Sequence, residues 1–261
     1  MNKAKNFTRA TMAVVVATML MTGCQQEKVA EVKPVGKSIS KLVEMPIENV
    51  VVSNKTANGI TVREGVHYTK LANPIELEGL ADNSVLEIFW LGCPHCQNFE
   101  KGLIEWKKTK TSSMTINKMH AVSGNPRWIM DAHIYNTFDL LSKSSESVME
   151  GLFDLYINQY NVYKTAIQAD PNTEEKPFPS IKLISEFAKA SGIDEKVFTD
   201  TFQSEEIKAK VKSDGDVFVN SEIQGVPAFI VNKQYMVTGV DAKSHEDYFQ
   251  IVEKVAELTK K

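Results

Sequence analysis

The chain has 261 residues, 43% of them apolar and 24% charged, which excludes disordered, collagenous and disulfide-dense small scaffolds. Thirty Lys and Arg stand against thirty-three Asp and Glu, a formal charge of −3 without the basic excess of a nucleic-acid binder. At roughly 150 residues per domain, one or two domains with a sizeable core are expected.

Residues 1–23 read as a secretory signal rather than as part of the fold. Lys3, Lys5 and Arg9 form a cationic head, Ala13 to Met21 an apolar run, and Thr22-Gly23-Cys24 its end. About nine apolar residues fall short of the roughly 20 that a transmembrane helix needs. The segment resembles a bacterial lipoprotein signal, cut after a small residue so that Cys24 is lipidated. It departs from that pattern in having Met21 where Leu is usual. The alternative is an ordinary signal peptide with a chance cysteine. Cleavage before Cys24 would leave 238 residues, with 27 cations against 33 acids. Lipidation would also resolve an odd cysteine count: of three, only Cys93 and Cys96 would remain. Such a pair closes too short a loop to staple a fold, so its expected purpose is chemistry.

Residues 24–63 are polar and weakly patterned, interrupted by Pro34, Gly36, Pro46 and Gly59. They read as a tether with a short helix at Ser38–Glu44. As a flexible coil, about 40 residues would span roughly 35 Å. The folded body is expected to start near Val66. His67 to Leu71 alternates like a half-buried strand. Val85 to Leu91 is nearly continuously apolar, as in a strand covered on both faces, and runs into Gly92-Cys93-Pro94-His95-Cys96. Phe99, Leu103 and Trp106 then recur at helical spacing, and Met114 to Val122 alternates again, completing a βαβ unit.

From Pro126 to Ser213 the apolar period is helical, with Ser180 and Asp194 as predicted N-caps and Gly192 as a helix stop. Strand character returns at Val226 to Val231, and Asn232-Lys233 predicts a hairpin turn. A last helix is predicted from Ser244, with Asp247 at capping-box distance. The division is therefore 1–23 signal, 24–63 tether, 64–125 and 214–261 an α/β domain, and 126–213 an inserted helical domain.

A Cys-x-x-Cys between a buried strand and a helix is specific because position and chemistry agree. Cys93 at the helix N-terminus meets unpaired N–H groups and a dipole that favour thiolate. Pro94 suits the first turn, and a protonated His95 adds positive charge. A stabilised thiolate exists only in the reduced protein, so it makes the disulfide easier to give away. Cys96, one turn on and shielded, is the expected resolving partner.

Val85 to Glu100 and Gly225 to Asn232 together resemble the DsbA family of periplasmic thiol:disulfide oxidoreductases. The resemblance covers roughly Gly65 to Lys254. It implies a thioredoxin-like fold interrupted by a helical domain, a strongly lowered Cys93 pKa, and an oxidising disulfide. It also implies that Pro227 is a cis-proline beside the cysteines and that Val226 before it bears on partner and redox preference. Glu87 and Lys118 become a charged pair beneath the site, and a carboxylate in an apolar strand must be paired or protonated. Gly92 departs from the namesake, which is aromatic there, and Val237 to Lys243 is short for a groove-side loop.

The expected activity is disulfide donation to unfolded or reduced exported proteins through a mixed disulfide. A membrane redox partner would recharge the site, and the protein would be lipid-anchored in the bacterial cell envelope, facing the periplasm. No cofactor, metal or nucleic acid is called for. One alternative is a reductase or isomerase kept reduced; another is a metal-binding or copper-delivery protein using the two sulfurs. A zinc site lacks a second Cys pair, and Gln97 after Cys96 excludes the Cys-x-x-Cys-His haem attachment. His67, His120, His133 and His245 are scattered, which suggests surface or satisfied core positions.

Overall fold

The computed structural model describes residues 61–110, 113–143 and 145–260. Cys24, the signal and the predicted helix at Ser38–Glu44 lie outside them. The strands are β1 (Tyr68–Lys70), β2 (Ser84–Phe89), β3 (Thr115–His120), β4 (Ala228–Val231) and β5 (Tyr235–Val237). Helix α1 (Pro94–Thr109) joins β2 to β3. Between β3 and β4 come α2 (Pro126–Ser142), α3 (Glu146–Ala169), α4 (Ile181–Ala190), α5 (Glu195–Phe202) and α6 (Glu205–Asn220). Helix α7 (His245–Leu258) closes the chain. This is the βαβ, helices, ββα order expected from the sequence.

The sheet order is β1-β5-β4-β2-β3, with β2 and β3 parallel and the other neighbours antiparallel. All six residues of β2 are buried, as its apolar run requires. Its alternating side chains serve opposite faces. Val85 joins the core under α1 and α7, Leu86 and Ile88 join the core on the other face, and Phe89 reaches the helical block. Asn232 and Lys233 both adopt positive φ, 48° and 64°, the handedness that a tight two-residue hairpin demands.

Caps confirm several boundaries. The hydroxyl of Ser180 accepts from Leu183 N–H, and the Asp194 carboxylate accepts from Lys196 and Val197 N–H. Ser244 accepts from Asp247 N–H at 3.1 Å, and the Asp247 carboxylate accepts from Lys243 N–H at 3.1 Å.

Two expected boundaries differ. Val62, given to the tether, is buried in the core, so the body includes the first described residues. The edge drawn at Ser213 falls inside α6, which continues to Asn220. Asp214 does not break this helix, because its carboxylate accepts hydrogen bonds from Lys210 and Asn136.

Helix α7 is fastened to α1 by aromatic rings. Phe249 stacks on Trp106 at 4.7 Å and 7°, and meets Phe229 of β4 edge-on at 5.6 Å. Phe249→Ala should therefore cost about 3–5 kcal/mol, read as a lower midpoint in urea unfolding. A loss below about 1 kcal/mol would show that these rings do not hold α7 in place.

Candidate active site

Strand β2 delivers the chain to α1 through Leu91 and Gly92, and this junction is held from below. His120 at the end of β3 is buried, its Nδ1–H facing Ala121 O at 2.8 Å, which leaves Nε2 to accept from Leu91 N–H at 3.2 Å. Burial holds its pKa down to about 3, so the ring is neutral. Gly92 has a local reason to lack a side chain. A Cβ there would stand 2.6 Å from the Trp90 ring and 2.8 Å from the Phe178 ring.

Cys93 is the N-cap of α1 and Pro94 its first residue. The Cys93 sulfur accepts from Cys96 N–H at 3.5 Å, satisfying one of the helix's free donors. Both cysteines are reduced and buried, Cys96 completely. Their environments push them apart. A hydrogen bond from the Cys96 side chain, with help from the Cys96 and His95 backbone, draws the Cys93 thiol down from 9.0 to about 6 against its own desolvation. The positive charge expected from His95 is the least of these causes, because its ring is exposed. Desolvation, first, and then Cys93 push the Cys96 thiol strongly upward. One sulfur is thus mostly thiolate at neutral pH and its partner is held as a thiol.

Val226 and Pro227 face this pair from the loop before β4. The Val226–Pro227 peptide bond is cis. In its thiol form, Cys93 donates to the Val226 carbonyl at 3.6 Å.

The register of β2 and β3 places Glu87 beside Lys118 on the face beneath α1. Lys118 Nζ lies 3.2 Å from Glu87 Oε2, yet among the described residues neither Glu87 oxygen accepts a hydrogen bond. The ammonium aims its bond at Glu100 instead. Glu100 is a third member that sequence reasoning missed. The signal was there: Cys93, Cys96, Glu100 and Leu103 follow helical spacing along the buried face of α1. Lys118 also lies 4.6 Å from the Phe153 ring centroid. Burial, outweighing Lys118, raises the Glu87 carboxyl to about 7, while the two carboxylates hold Lys118 above its ordinary value. Glu100 and Lys118 line a cleft of about 560 Å³ that reaches this cluster from the surface.

Residues 155–247 match the family model of the DsbA-like thioredoxin domain. Over that stretch the chain is similar to a DsbA-like thioredoxin domain. The matched stretch runs from α3 into the first turn of α7, so it includes the cis-proline but not Cys93. A longer likeness covers both. The chain is 23% identical over 193 residues to the thiol:disulfide interchange protein DsbA of Pseudomonas aeruginosa, covering 74% of this chain and 83% of that one. The crystal structure of P. aeruginosa DsbA has a TM-score of 0.57 at 23% identity, covering 76% of this chain and 97% of that one. The oxidoreductase NmDsbA1 from N. meningitidis has a TM-score of 0.58 at 24% identity, covering 78% and 96%. Both share the fold.

A buried carboxyl whose pKa rises on folding favours the folded state only while protonated. Its contribution is full below about pH 4.5 and is lost as pH rises through about 7. Glu87→Gln removes this titration. Its unfolding free energy relative to the parent should rise between pH 4.5 and pH 8 by up to about 3 kcal/mol, measured by urea unfolding of both reduced proteins. A flat difference across that range would mean that Glu87 ionises as readily in the folded state as in the unfolded chain.

Proposed function

We propose that the Cys93–Cys96 pair donates its disulfide to reduced or unfolded exported proteins, with Cys93 the attacked sulfur and Cys96 the resolving one. The chain is a thiol:disulfide oxidoreductase. What carries the direction is the placement of the two sulfurs: Cys93 caps α1 and accepts from Cys96, which lowers its thiol pKa, while Cys96 is fully buried, which raises its own. Because the thiolate is stabilised only after reduction, the dithiol is favoured and the disulfide leaves readily.

In the oxidised protein, a client thiolate attacks Cys93 Sγ. The Sγ–Sγ bond breaks and its electron pair goes to Cys96, which takes up a proton and stays buried. The Glu87 carboxyl, raised toward neutrality beneath the site, is suited to supply that proton, and Lys118 and Glu100 connect it to the cleft. A second client thiolate then attacks the client sulfur of the mixed disulfide and expels Cys93 as thiolate. Of the two client protons, Cys96 keeps one and solvent receives the other. Val226 and Pro227 flank the reacting sulfur and leave room for a client backbone beside it.

The same reading places the mature chain at the cell envelope, held by a lipid on Cys24 and facing the periplasm, with residues 24–63 as spacer. A membrane redox partner restores the disulfide. Among the described residues, no helix is long and apolar enough to cross a membrane. The body divides in function into the α/β part, which carries the cysteines, and helices that cover them.

Cys96→Ser, its Cys93 first capped as a mixed disulfide with thionitrobenzoate, should pass to a lasting mixed disulfide with a reduced single-cysteine client as thionitrobenzoate leaves, seen as a reductant-sensitive adduct. Cys93→Ser should form no adduct and lose at least a thousandfold in client oxidation. A Cys93→Ser variant that still oxidises the client would overturn the assignment.

A further inference from the structure

Beside Cys93 lies a groove of about 720 Å³. Its apolar wall comes from Phe99, Val226, Val237 and Tyr248, and its polar rim includes His95, Lys243 and His245. Among the described residues that line it, Lys243 brings an ammonium and none brings a carboxylate. The nearby acids are turned to other tasks. Asp241 points to His67, 3.2 Å away, Asp247 caps Lys243 N–H at 3.1 Å, and Glu246 Oε1 lies 3.4 Å from Gln250 Nε2.

The rim is also held in place. The His245 ring packs at 4.5 Å on Phe99, over Gly102 of α1, where an added Cβ would stand 2.8 Å from His245 Cβ. Gly239 has a left-handed φ of +73°, and an added Cβ there would meet Tyr248 at 2.8 Å. Two glycines thus let α1 and the loop after β5 close directly onto the groove walls. The α7 N-terminus, already capped by Ser244 and Asp247, is not the source of the positive character. The Lys243 ammonium is its source, and the imidazoles of His95 and His245 add N–H donors beside it.

We infer that the groove prefers client segments with an acidic side chain close to the reacting cysteine, and that Lys243 and His245 read it. The inference rests on the exchange reading above and adds a substrate class to it. The apolar wall accepts neighbouring side chains of many kinds, and the rim sorts them by charge. After exchange, the Cys93 thiolate adds a negative charge beside the groove, so an acidic product is released more readily than it was bound.

The test uses the oxidised full chain and three reduced peptides that differ only in Glu, Gln or Lys two residues after a single cysteine. Each rate is divided by that peptide's rate with neutral hydroxyethyl disulfide, which removes the effect of the neighbouring charge on the peptide thiol itself. The normalised order should be Glu, then Gln, then Lys, with about three- to fivefold between the extremes at low salt and less at high salt. Lys243→Glu should reverse the order, and His245→Ala, which removes a rim donor, should narrow it. Equal normalised rates, or an order that Lys243→Glu leaves unchanged, would overturn the inference while leaving exchange intact. Failure to oxidise any of the three would overturn exchange and the inference together.

Discussion

Everything this site does follows from how the first turn of α1 treats one sulfur. Cys93 caps the helix, so its Sγ accepts the Cys96 N–H that no backbone carbonyl can take. The same geometry places Cys96 one turn inside, where no water reaches it. A charged sulfur is favoured at one position and opposed at the other. Each unit of thiol pKa represents about 1.4 kcal/mol. For Cys93, near 6 instead of 9.0, the part realised at pH 7 is on the order of 1 kcal/mol. That corresponds to roughly 20–30 mV toward an oxidising couple.

The rest of the fold keeps this turn where it is. Strand β2, buried along its whole length, ends at the junction that His120 anchors from β3. The parallel register of those two strands brings Glu87 and Lys118 together, and the inward face of α1 adds Glu100 above them. A carboxylate and an ammonium buried this deeply are a cost that apolar packing would avoid. Their position beneath a cysteine pair that exchanges protons gives that cost a purpose. The helical block completes the enclosure, since Ile134, Phe138 and Phe153 belong to the same apolar cluster as Cys93 and Cys96.

Much of this was legible in the residues. The continuous apolar run of β2, the Asn232-Lys233 turn and the caps at Ser180 and Asp194 each have a local cause that short stretches of chain display. The cysteine pair and Pro227 were readable because their motifs are specific. Less local features were harder to see. Helix α6 runs through Asp214 and Gly215 because a tertiary partner, Asn136, joins Lys210 at the buried carboxylate. Glu100 was overlooked because a glutamate on a helix is usually solvated, and only Lys118 on another element makes it part of the site. His95 draws the Cys93 thiol down in the direction expected of it, through its backbone before its charge, while the larger effect comes from Cys96, which spacing alone does not show. The polar rim of the groove is assembled from α1 and the residues that lead into α7, far apart in the chain.

The most direct measurement is the equilibrium reduction potential of the Cys93–Cys96 couple, obtained by titrating the full chain against glutathione redox buffers at pH 7. A potential above the thioredoxin value of about −270 mV is predicted, because the dithiol form carries the stabilised thiolate. A value at or below that mark would contradict the account, since the disulfide would then be too stable to give away.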